Sequence, residues 1–232
     1  MPTALVTGSR GQVGHRLLAA LKQSGWEARG FDLLSGGDLR DEGSVLAAAE
    51  GCDLIIHAGA IAHDSAGTPA NIVATNVLGT WHVLLAAEQW HASKVVYFSS
   101  AQVFGFAEGE GTPDYRPVDD DHPLRAARPY GMSKRLAEEM CSAWTSRTGI
   151  STVVLRPVMI LDNEGLEVIT KSDAGLGAFI HVDDVVDAAM RAVNSAMTGH
   201  HRVTLCGPGE FDTSLAHRLL GWAPSRTWPA RS

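Results

Sequence analysis

Short apolar runs alternate with longer amphipathic stretches along most of the chain. The apolar runs have the length of buried strands, and the amphipathic stretches have the period of helices. The predicted strands are 3–8, 26–33, 52–60, 94–100, 151–157 and 202–207. The predicted helices are 12–25, 41–51, 71–90, 130–146, 179–195 (which starts with a strand end) and 213–221. Because parallel strands need helical crossovers, this order predicts an α/β fold with a doubly wound parallel sheet.

Two segments interrupt the alternation. Residues 105–128 are rich in Gly, Pro and Asp and predict a long loop, and residues 158–178 also predict a loop. We therefore expect a main α/β domain over residues 1–157, with residues 179–195 packing back on it. Residues 158–178 and 196–232 are expected to form a small C-terminal lobe.

The composition is that of an ordinary globular protein, with 45% hydrophobic and 19% charged residues. Lys and Arg total 19 against 26 Asp and Glu, and no basic stripe is present, so nucleic acid is not an expected partner. The N-terminal residues enter a strand-like run without a signal-peptide pattern, and no apolar run approaches the ~20 residues of a membrane span. We therefore expect a cytoplasmic protein with no membrane partner.

Cysteines and histidines form no pattern that indicates a metal site. The three cysteines, Cys52, Cys141 and Cys206, are scattered, which is typical of core residues in a reducing compartment. The adjacent pair His200 and His201 has no carboxylate or cysteine neighbour and predicts a turn. No metal is therefore expected.

The first predicted strand ends in TGSRGQVG, with glycines at positions 8, 11 and 14. Glycines with this spacing let the backbone approach a pyrophosphate closely, and the N-terminus of the following helix supplies N–H groups and partial positive charge. The start of a βαβ unit is the context that a dinucleotide-binding loop requires. We expect the whole loop to contact the cofactor: Gly8, Ser9, Arg10, Gly11, Gln12, Val13 and Gly14.

Asp32 closes the second predicted strand, 18 residues after Gly14. A carboxylate there can accept hydrogen bonds from the adenosine ribose hydroxyls and repel a 2′-phosphate, which favours NAD. A solvated loop aspartate is the alternative, and Arg10 is placed to reach a 2′-phosphate, which leaves NADP open. Asp38 and Leu39 offer an acceptor for the adenine edge and an apolar wall.

Tyr130 and Lys134 lie one helical turn apart, with roughly 6 Å between their Cβ atoms. An isolated match of this kind is typical of a half-buried tyrosine and a solvated lysine. A free tyrosine has a pKa of about 10, and a neighbouring ammonium group stabilises its phenolate. The same spacing therefore also fits a proton donor that works near neutral pH.

Several further motifs follow the glycine loop and Asp32 in a fixed order. They are GDL (37–39), HAGA (57–60), NVLGT (76–80), FSSAQVFG (98–105), YGMSK (130–134), LRP (155–157) and FIHVDDVVDA (179–188). Together they resemble the extended short-chain dehydrogenase/reductase family, the NAD-dependent epimerase/dehydratases. The resemblance implies a dinucleotide-binding Rossmann domain with a small substrate-binding lobe, NAD as cofactor and a homodimer formed through the helices 71–90 and 130–146. The apolar residues expected on the paired faces are Val77, Trp81 and Leu85 on the first helix and Leu136, Met140 and Trp144 on the second.

The resemblance also implies roles for individual residues. Tyr130 is the acid/base, Lys134 tunes it and binds the nicotinamide ribose, and Ser100 holds the substrate oxygen. Ser99 is the main rival of Ser100 for that role, and Asn76 is expected to bond to main chain. The residues implied to line the cofactor beyond the glycine loop are Asp32, Asp38, Leu39, His57, Ala58, Gly59, Asn76, Ser99, Tyr130, Lys134 and Pro157.

Two departures from the family pattern bear on the substrate. Ala101 and Gln102 follow Ser100, where sugar dehydratases of the family have Asp-Glu, and this disfavours dehydration. The predicted lobe is short, and Lys171 is the only Lys or Arg between Arg156 and Arg191. A nucleotide-sugar pyrophosphate would be poorly paired there. The chain therefore resembles the compact family members that act on free sugar acids or other small carbonyl compounds.

Three functions are compatible with these observations. The leading hypothesis is an NAD(P)-dependent oxidoreductase that transfers hydride between nicotinamide and a small alcohol or carbonyl substrate. The alternative is a sugar or nucleotide-sugar epimerase that uses tightly bound NAD without net redox change. A cofactor-sensing binding protein on the same fold is the third, and it would not need the Ser-Tyr-Lys set.

Overall fold

The computed structural model describes residues 1–106, 111–165 and 178–226. The strands are β1 (Thr3–Thr7), β2 (Glu27–Phe31), β3 (Leu54–His57), β4 (Lys94–Phe98), β5 (Ser151–Pro157), β6 (Met159–Leu161), β7 (Phe179–His181) and β8 (His200–Leu205). The α-helices are α1 (Gly14–Gln23), α2 (Glu42–Ala48), α3 (Pro69–Val73), α4 (Gly79–Gln89), α5 (Pro129–Thr148), α6 (Val182–Asn194) and α7 (Ser214–Leu220). A π turn over Ala74–Leu78 joins α3 to α4.

Six strands form one parallel sheet in the order β2-β1-β3-β4-β5-β8. This arrangement confirms the predicted doubly wound sheet. Strand β2 lies on one side of β1 and β3 on the other, so the direction of the crossovers reverses beside β1. Open α/β sheets bind their ligands in the crevice that such a reversal creates.

The central strands are apolar because helices cover both of their faces. Every residue of β1, β3, β4 and β5 is buried. One core lies between the sheet and α1 and α6, with Leu17, Leu21 and Val185 among its members, and the other lies under α2, α4 and α5 and includes Val83 and Trp144. The two cores hold the strand ends in fixed relative positions.

The structure differs from the sequence prediction in the lobe. Strand β8 pairs with β5 as the sixth strand of the main sheet, so residues 200–205 do not belong to a separate lobe. Residues 159–161 are not loop but strand β6, which pairs in parallel with β7. Three-residue strands have too few positions to show a period in the sequence. The remaining lobe residues 166–177, with Lys171, and 227–232 lie outside the described residues.

The helical segment Pro69–Gln89 also differs from expectation. It is 21 residues long and, by length and composition, apolar enough to cross a membrane. Core helices meet the same criterion, and half of its most apolar window is buried inside the protein. The segment packs against the sheet with Val83 and Leu84, and His82 contacts the carbonyl of Leu39. Its apolar character therefore has a structural cause within the fold.

Long-range hydrogen bonds fix the later part of the chain to the sheet. Lys94 begins β4, and its Nζ donates to the carbonyl oxygens of Ala192 (2.9 Å) and Ser195 (2.6 Å) at the end of α6. The loop before α5 is attached in a similar way, because Val118 forms a β-bridge with Phe211. Residues 179–195 thus pack back on the sheet.

Candidate active site

The glycine loop after β1 is shaped by close backbone packing. Gly8 has a φ of +67°, and a Cβ on it would lie 2.6 Å from the Cα of Gly59. A Cβ on Gly14 would lie 2.1 Å from the carbonyl oxygen of Gly8. Side chains at these two positions would force the loop away from α1 and from the segment after β3. Gly11 is exposed at the tip of the loop.

Helix α1 begins directly behind this loop, as an anion site requires. Its N-terminal residue Val13 provides no side-chain cap, and the first turn contains no acidic residue. Uncapped N–H groups and the helix dipole favour a negatively charged group at this end. Gln12 is exposed and Val13 half-buried at the same place. The loop and helix therefore fit the pyrophosphate of a dinucleotide.

Asp32 has a structural task that the sequence did not indicate. Its carboxylate accepts hydrogen bonds from the backbone N–H of Arg10 (2.9 Å) and of Leu34 (2.9 Å). It thereby fastens the glycine loop to the end of β2. Asp38 forms a two-point ion pair with Arg40, whose hydrogen bonds lower the pKa of that carboxyl. The ribose role of Asp32 and the adenine role of Asp38 stay predictions.

His57, at the end of β3, is buried and its two ring nitrogens contact hydroxyls. Nδ1 lies 2.7 Å from Thr7 Oγ1, and Nε2 lies 3.0 Å from Thr80 Oγ1. Because Thr80 donates its own proton to the carbonyl of Asn76 (2.5 Å), Nε2 must donate and Nδ1 must accept. Burial lowers the pKa of His57 to about 3. Its side chain therefore links β1 to α4, and the cofactor contacts expected for His57, Ala58 and Gly59 stay predictions.

Asn76 lies in the π turn and joins two loops of the site. Its Oδ1 accepts from the backbone N–H of Ile61 (2.8 Å), and its Nδ2 donates to the carbonyl of Ile61 (3.0 Å) and to Ser133 Oγ (3.0 Å). π turns within helices occur frequently at functional sites. Asn76 makes the main-chain contacts implied by the resemblance, and its contact with the cofactor stays a prediction.

Helix α5 places Tyr130 in its first turn and Lys134 one turn later. Pro129 opens the helix, and the carboxylate of Asp64 accepts the backbone N–H of Tyr130 at 2.7 Å. Asp64 therefore caps the helix from a segment 66 residues earlier. This cap fixes the end of the helix that bears the phenol.

Lys134 is buried beneath Tyr130, with 3% of its surface exposed. Its Nζ donates to the carbonyl of Phe98 at 2.6 Å, and lies 5.0 Å from the ring centre of Tyr97 and 6.0 Å from that of Tyr130. Desolvation lowers the pKa of Lys134 to about 7. The alternative of a solvated lysine is thus wrong, and the ammonium group is close enough to influence the phenol.

The two serines after β4 have different environments. Ser100 Oγ accepts the backbone N–H of Gln102 at 3.2 Å, which starts a 3₁₀ turn over Ala101–Phe104. Ser99 Oγ instead donates to Glu138 Oε1 at 2.5 Å. The hydroxyl of Ser99 is therefore committed to the inside of the protein. This supports Ser100, at the carboxyl edge of the sheet, as the serine for a substrate oxygen.

Sequence reasoning missed a buried ion pair below these serines. Glu138 and Arg156 are both fully buried and form two hydrogen bonds, Nε–Oε1 at 2.9 Å and Nη2–Oε2 at 2.6 Å. The available signal was the spacing of Glu138, one turn after Lys134 on α5. Pro157, the last predicted cofactor residue, directly follows Arg156 at the end of β5.

A metal site needs several ligand side chains held close together. Over residues 1–106, 111–165 and 178–226, no group of three or more His, Cys, Asp or Glu side chains is placed to hold a metal ion. The three cysteines are buried and unpaired with each other. The catalytic roles of Ser100, Tyr130 and Lys134 stay predictions.

Comparison with known proteins identifies a family and several relatives of this chain. The model of the NAD dependent epimerase/dehydratase family matches residues 4–161. A uronate dehydrogenase of Pseudomonas syringae pv. tomato is 34% identical over 120 residues, which cover 51% of this chain and 41% of that protein. A putative UDP-glucose 4-epimerase of Methanocaldococcus jannaschii is 29% identical over 169 residues, 66% of this chain and 54% of that protein. The chain thus spans about half the length of these curated relatives.

Solved structures share the fold at lower sequence identity. A short-chain dehydrogenase/reductase superfamily protein of Agrobacterium tumefaciens, crystallised with bound NAD, superposes with a TM-score of 0.81 at 24% identity. The superposition covers 97% of this chain and 93% of that one. At this identity the likeness establishes the fold.

Proposed function

The chain belongs to the NAD dependent epimerase/dehydratase family, and from this membership we propose that it is an oxidoreductase acting on a small alcohol or carbonyl compound. Membership confirms the resemblance drawn from the motifs, and with it the expected enzyme class and NAD as the family's cofactor. The identity of the substrate and the direction of the reaction are part of the proposal.

The observation that supports this proposal most directly is the position of Lys134. An ammonium group that is almost fully buried costs free energy, and Lys134 Nζ lies 6.0 Å from the centre of the Tyr130 ring. Beside a phenol at the carboxyl edge of a parallel sheet, it lowers the free energy of the phenolate. A cofactor sensor would not need such a pair, and this argues against the third hypothesis.

The proposed reaction divides among three side chains. When bound, NAD accepts a hydride at nicotinamide C4, or NADH returns one. In the oxidative direction Ser100 donates a hydrogen bond to the substrate hydroxyl oxygen, and the Tyr130 phenolate takes the proton of that hydroxyl. As the carbon loses its hydride, the oxygen becomes a carbonyl. Lys134 stabilises the phenolate before the transfer, and the reductive direction reverses each step.

Uronic acids are the substrate class we propose first. The 34% identical relative is a uronate dehydrogenase, and its similarity covers 51% of this chain. The few basic residues predicted for the substrate lobe also fit a small monoanion better than a nucleotide diphosphate. A carboxylate needs one charge-assisted pair, whereas a pyrophosphate needs several.

The test is a spectrophotometric assay of NADH formation with glucuronate and galacturonate, run beside UDP-glucose. We expect turnover with a uronate and a fall of at least about 100-fold in kcat for Tyr130→Phe, which keeps the ring but loses the proton. NAD affinity should remain close to that of the wild type. Unchanged turnover in Tyr130→Phe would remove this residue from the mechanism.

Epimerisation is the second candidate function. It is favoured by the relative named as a putative UDP-glucose 4-epimerase, which is 29% identical over 66% of this chain. One sugar carbon would lose its hydride to bound NAD and then regain it, and the same three side chains would hold the oxygen and move its proton in both steps. Epimer formation from UDP-glucose without net NADH, together with tight UDP-hexose binding by calorimetry, would put this function first.

The exposed side chain of Arg10 in the glycine loop leaves NADP open as a cofactor. Titrating the protein with NAD and with NADP tests the proposed preference for NAD.

We also propose that two copies pair through α3–α4 and α5. An apolar concavity of about 720 Å³ lies between these helices, and its rim includes Trp81 and Met140. Trp81 is 37% exposed and Leu136 is 41% exposed. Trp144, which the sequence assigned to the same surface, is buried in the core instead. Light scattering at micromolar concentration should give the mass of a dimer, and a monomer mass would contradict the proposal.

A further inference from the structure

Below the proposed active site, a layer of buried polar groups connects the elements that bear its three side chains. Glu138 on α5 receives two hydrogen bonds from Arg156 on β5 and a third, at 2.5 Å, from Ser99 at the end of β4. Glu138 and Arg156 are completely buried. Ser99 immediately precedes Ser100, and Glu138 lies one helical turn after Lys134.

The same layer extends to the loop before α5 and to the last strand of the sheet. Arg156 Nη1 donates to the carbonyl of Asp120 at 3.1 Å. The carboxylate of Asp120 accepts the backbone N–H (2.6 Å) and the hydroxyl (2.7 Å) of Thr204 on β8. Five separate segments of the chain are therefore joined through two carboxylates, those of Glu138 and Asp120, and the guanidinium group of Arg156.

We propose that Glu138 is a positioning residue, which through Ser99 and Arg156 fixes the strand end bearing Ser100 relative to the helix bearing Tyr130 and Lys134. The proposal rests on the proposed function, because it assumes that these three side chains act together. A buried ion pair is weak evidence for stability, since apolar residues of similar volume often stabilise a fold as well. The hydrogen bond from Ser99 to Glu138 is what joins this ion pair to the strand end that bears Ser100.

Glu138 has a second effect on the site, through its charge. Burial is the main cause that lowers the pKa of Lys134, and the carboxylate of Glu138 acts in the opposite direction. Other groups also face this ammonium or interact with its charge from α5, β4 and β3: Tyr130, Cys141, Tyr97 and His57. Glu138 is the carboxylate in this set; the other groups are two phenols, a thiol and an imidazole. It therefore favours the protonated form of Lys134.

The primary test is Ser99→Ala in the full chain, because it leaves the ion pair intact. The matched control is Thr145→Val, which also removes a buried hydroxyl bond between α5 and β5 (Thr145 Oγ1 to Thr152 Oγ1, 2.8 Å) but lies at the far end of the helix. We expect both variants to lose similar stability in urea. Ser99→Ala should lower kcat by about 10- to 100-fold, since small misplacements of reacting groups are costly.

The control should keep kcat within about twofold, and both variants should bind NAD like the wild type. A wild-type kcat in Ser99→Ala, while Tyr130→Phe is inactive, would overturn the positioning role and leave the proposed function standing. An active Tyr130→Phe would instead contradict the proposed function itself. Equal losses of kcat in Ser99→Ala and Thr145→Val would also overturn the proposal, because a general structural effect would explain them.

Glu138→Gln tests the electrostatic effect through the pH dependence of kcat, which a purely structural role of Glu138 would leave unchanged. Neutralising the carboxylate lowers the pKa of Lys134, so the ammonium form is lost at a lower pH. We expect the alkaline limb of the kcat profile to move to lower pH in this variant. A folded Glu138→Gln with an unmoved limb would refute the electrostatic effect. If this variant does not fold, the comparison of Ser99→Ala with Thr145→Val decides the proposal alone.

Discussion

Two buried layers of the molecule each contain an ionisable side chain, and the two side chains differ in hydrogen bonding and in pKa. Between β1, β3 and α4, both ring nitrogens of His57 are bonded to threonines, and its pKa falls to about 3. Between β4 and α5, Lys134 donates to one carbonyl and faces two aromatic rings, with a pKa of about 7. His57 therefore stays neutral at physiological pH, whereas Lys134 can be present in both protonation states.

The difference teaches that burial alone does not indicate function. A buried group whose hydrogen bonds are all made inside the fold is fixed in one state and contributes structure. A buried group held close to its titration point, beside a reactive side chain, is available for chemistry. Substitutions in the two layers should therefore separate activity from stability.

The largest expected effect is that of Lys134→Met on turnover. Loss of the ammonium group should reduce kcat by at least about 100-fold, because the Tyr130 phenolate loses its stabilising charge. The free energy of unfolding at pH 7 should be unchanged or raised by up to about 2 kcal/mol, since a buried amine is replaced by an apolar chain. Steady-state kinetics and urea unfolding check the two parts. A clear loss of stability would mean that Lys134 is structural, like His57.

Asn76→Ala should damage the Lys134 layer and leave the His57 layer in place. The backbone carbonyl of Asn76, which accepts Thr80, remains in the variant, whereas the side-chain bonds to Ile61 and to Ser133 are lost. Three lost side-chain hydrogen bonds should lower the free energy of unfolding by about 2–4 kcal/mol. We also expect a fall of about 10-fold in kcat. Urea unfolding at a temperature where the variant is folded, followed by kinetics, measures both.

His57→Leu should show the reverse of Lys134→Met. The hydroxyl of Thr7 loses its acceptor and that of Thr80 loses a donor, so the free energy of unfolding should fall by about 1–3 kcal/mol. The kcat of the folded protein should stay within about threefold of the wild type. A loss of kcat comparable to that of Lys134→Met would show that His57 takes part in the chemistry.

The pH dependence of stability gives a further comparison of the two layers. His57 has a folded pKa of about 3, below its usual 6.5, so the unfolded state binds the extra proton. Its contribution is present above pH 6.5 and is lost by about 1.4 kcal/mol per pH unit as the pH falls. Lys134 is also depressed, to about 7, so between pH 7 and its unfolded value stability rises with pH. The free energy of unfolding is measured against pH for the wild type, His57→Leu and Lys134→Met. The difference between wild type and His57→Leu should show the His57 slope below pH 6.5, and the difference between wild type and Lys134→Met should show the Lys134 slope above pH 7.

Much of this arrangement could be predicted from the sequence, where the signal is local. The strand and helix order follows from apolar period, and the glycine loop and the Tyr130–Lys134 spacing are visible as short motifs. The helix expected at 12–25 is observed at Gly14–Gln23, a normal difference at helix ends. These features depend on neighbours within one or two turns of chain.

The remaining features depend on residues far apart in sequence. Asp64 caps α5 across 66 positions, and Asp120 bonds to Thr204 across 84 positions. No single motif contains both partners, so the sequence could not pair them. Trp144 was misplaced for a similar reason: its position on α5 suits either an exposed or a buried face until the packing of α4 is known. The short strand β6 became visible only with its partner β7.

The bonds of Lys94 to the end of α6 have a consequence for how the protein acquires its activity. They join residues about one hundred positions apart, and strand β8, which holds Asp120, is formed later still. Contacts of such separation form slowly during folding, because a long loop must close before they add stability. A chain emerging from the ribosome thus has its glycine loop early but cannot order the segment before α5 until the last strand is made. Cofactor affinity should therefore precede catalytic competence during synthesis.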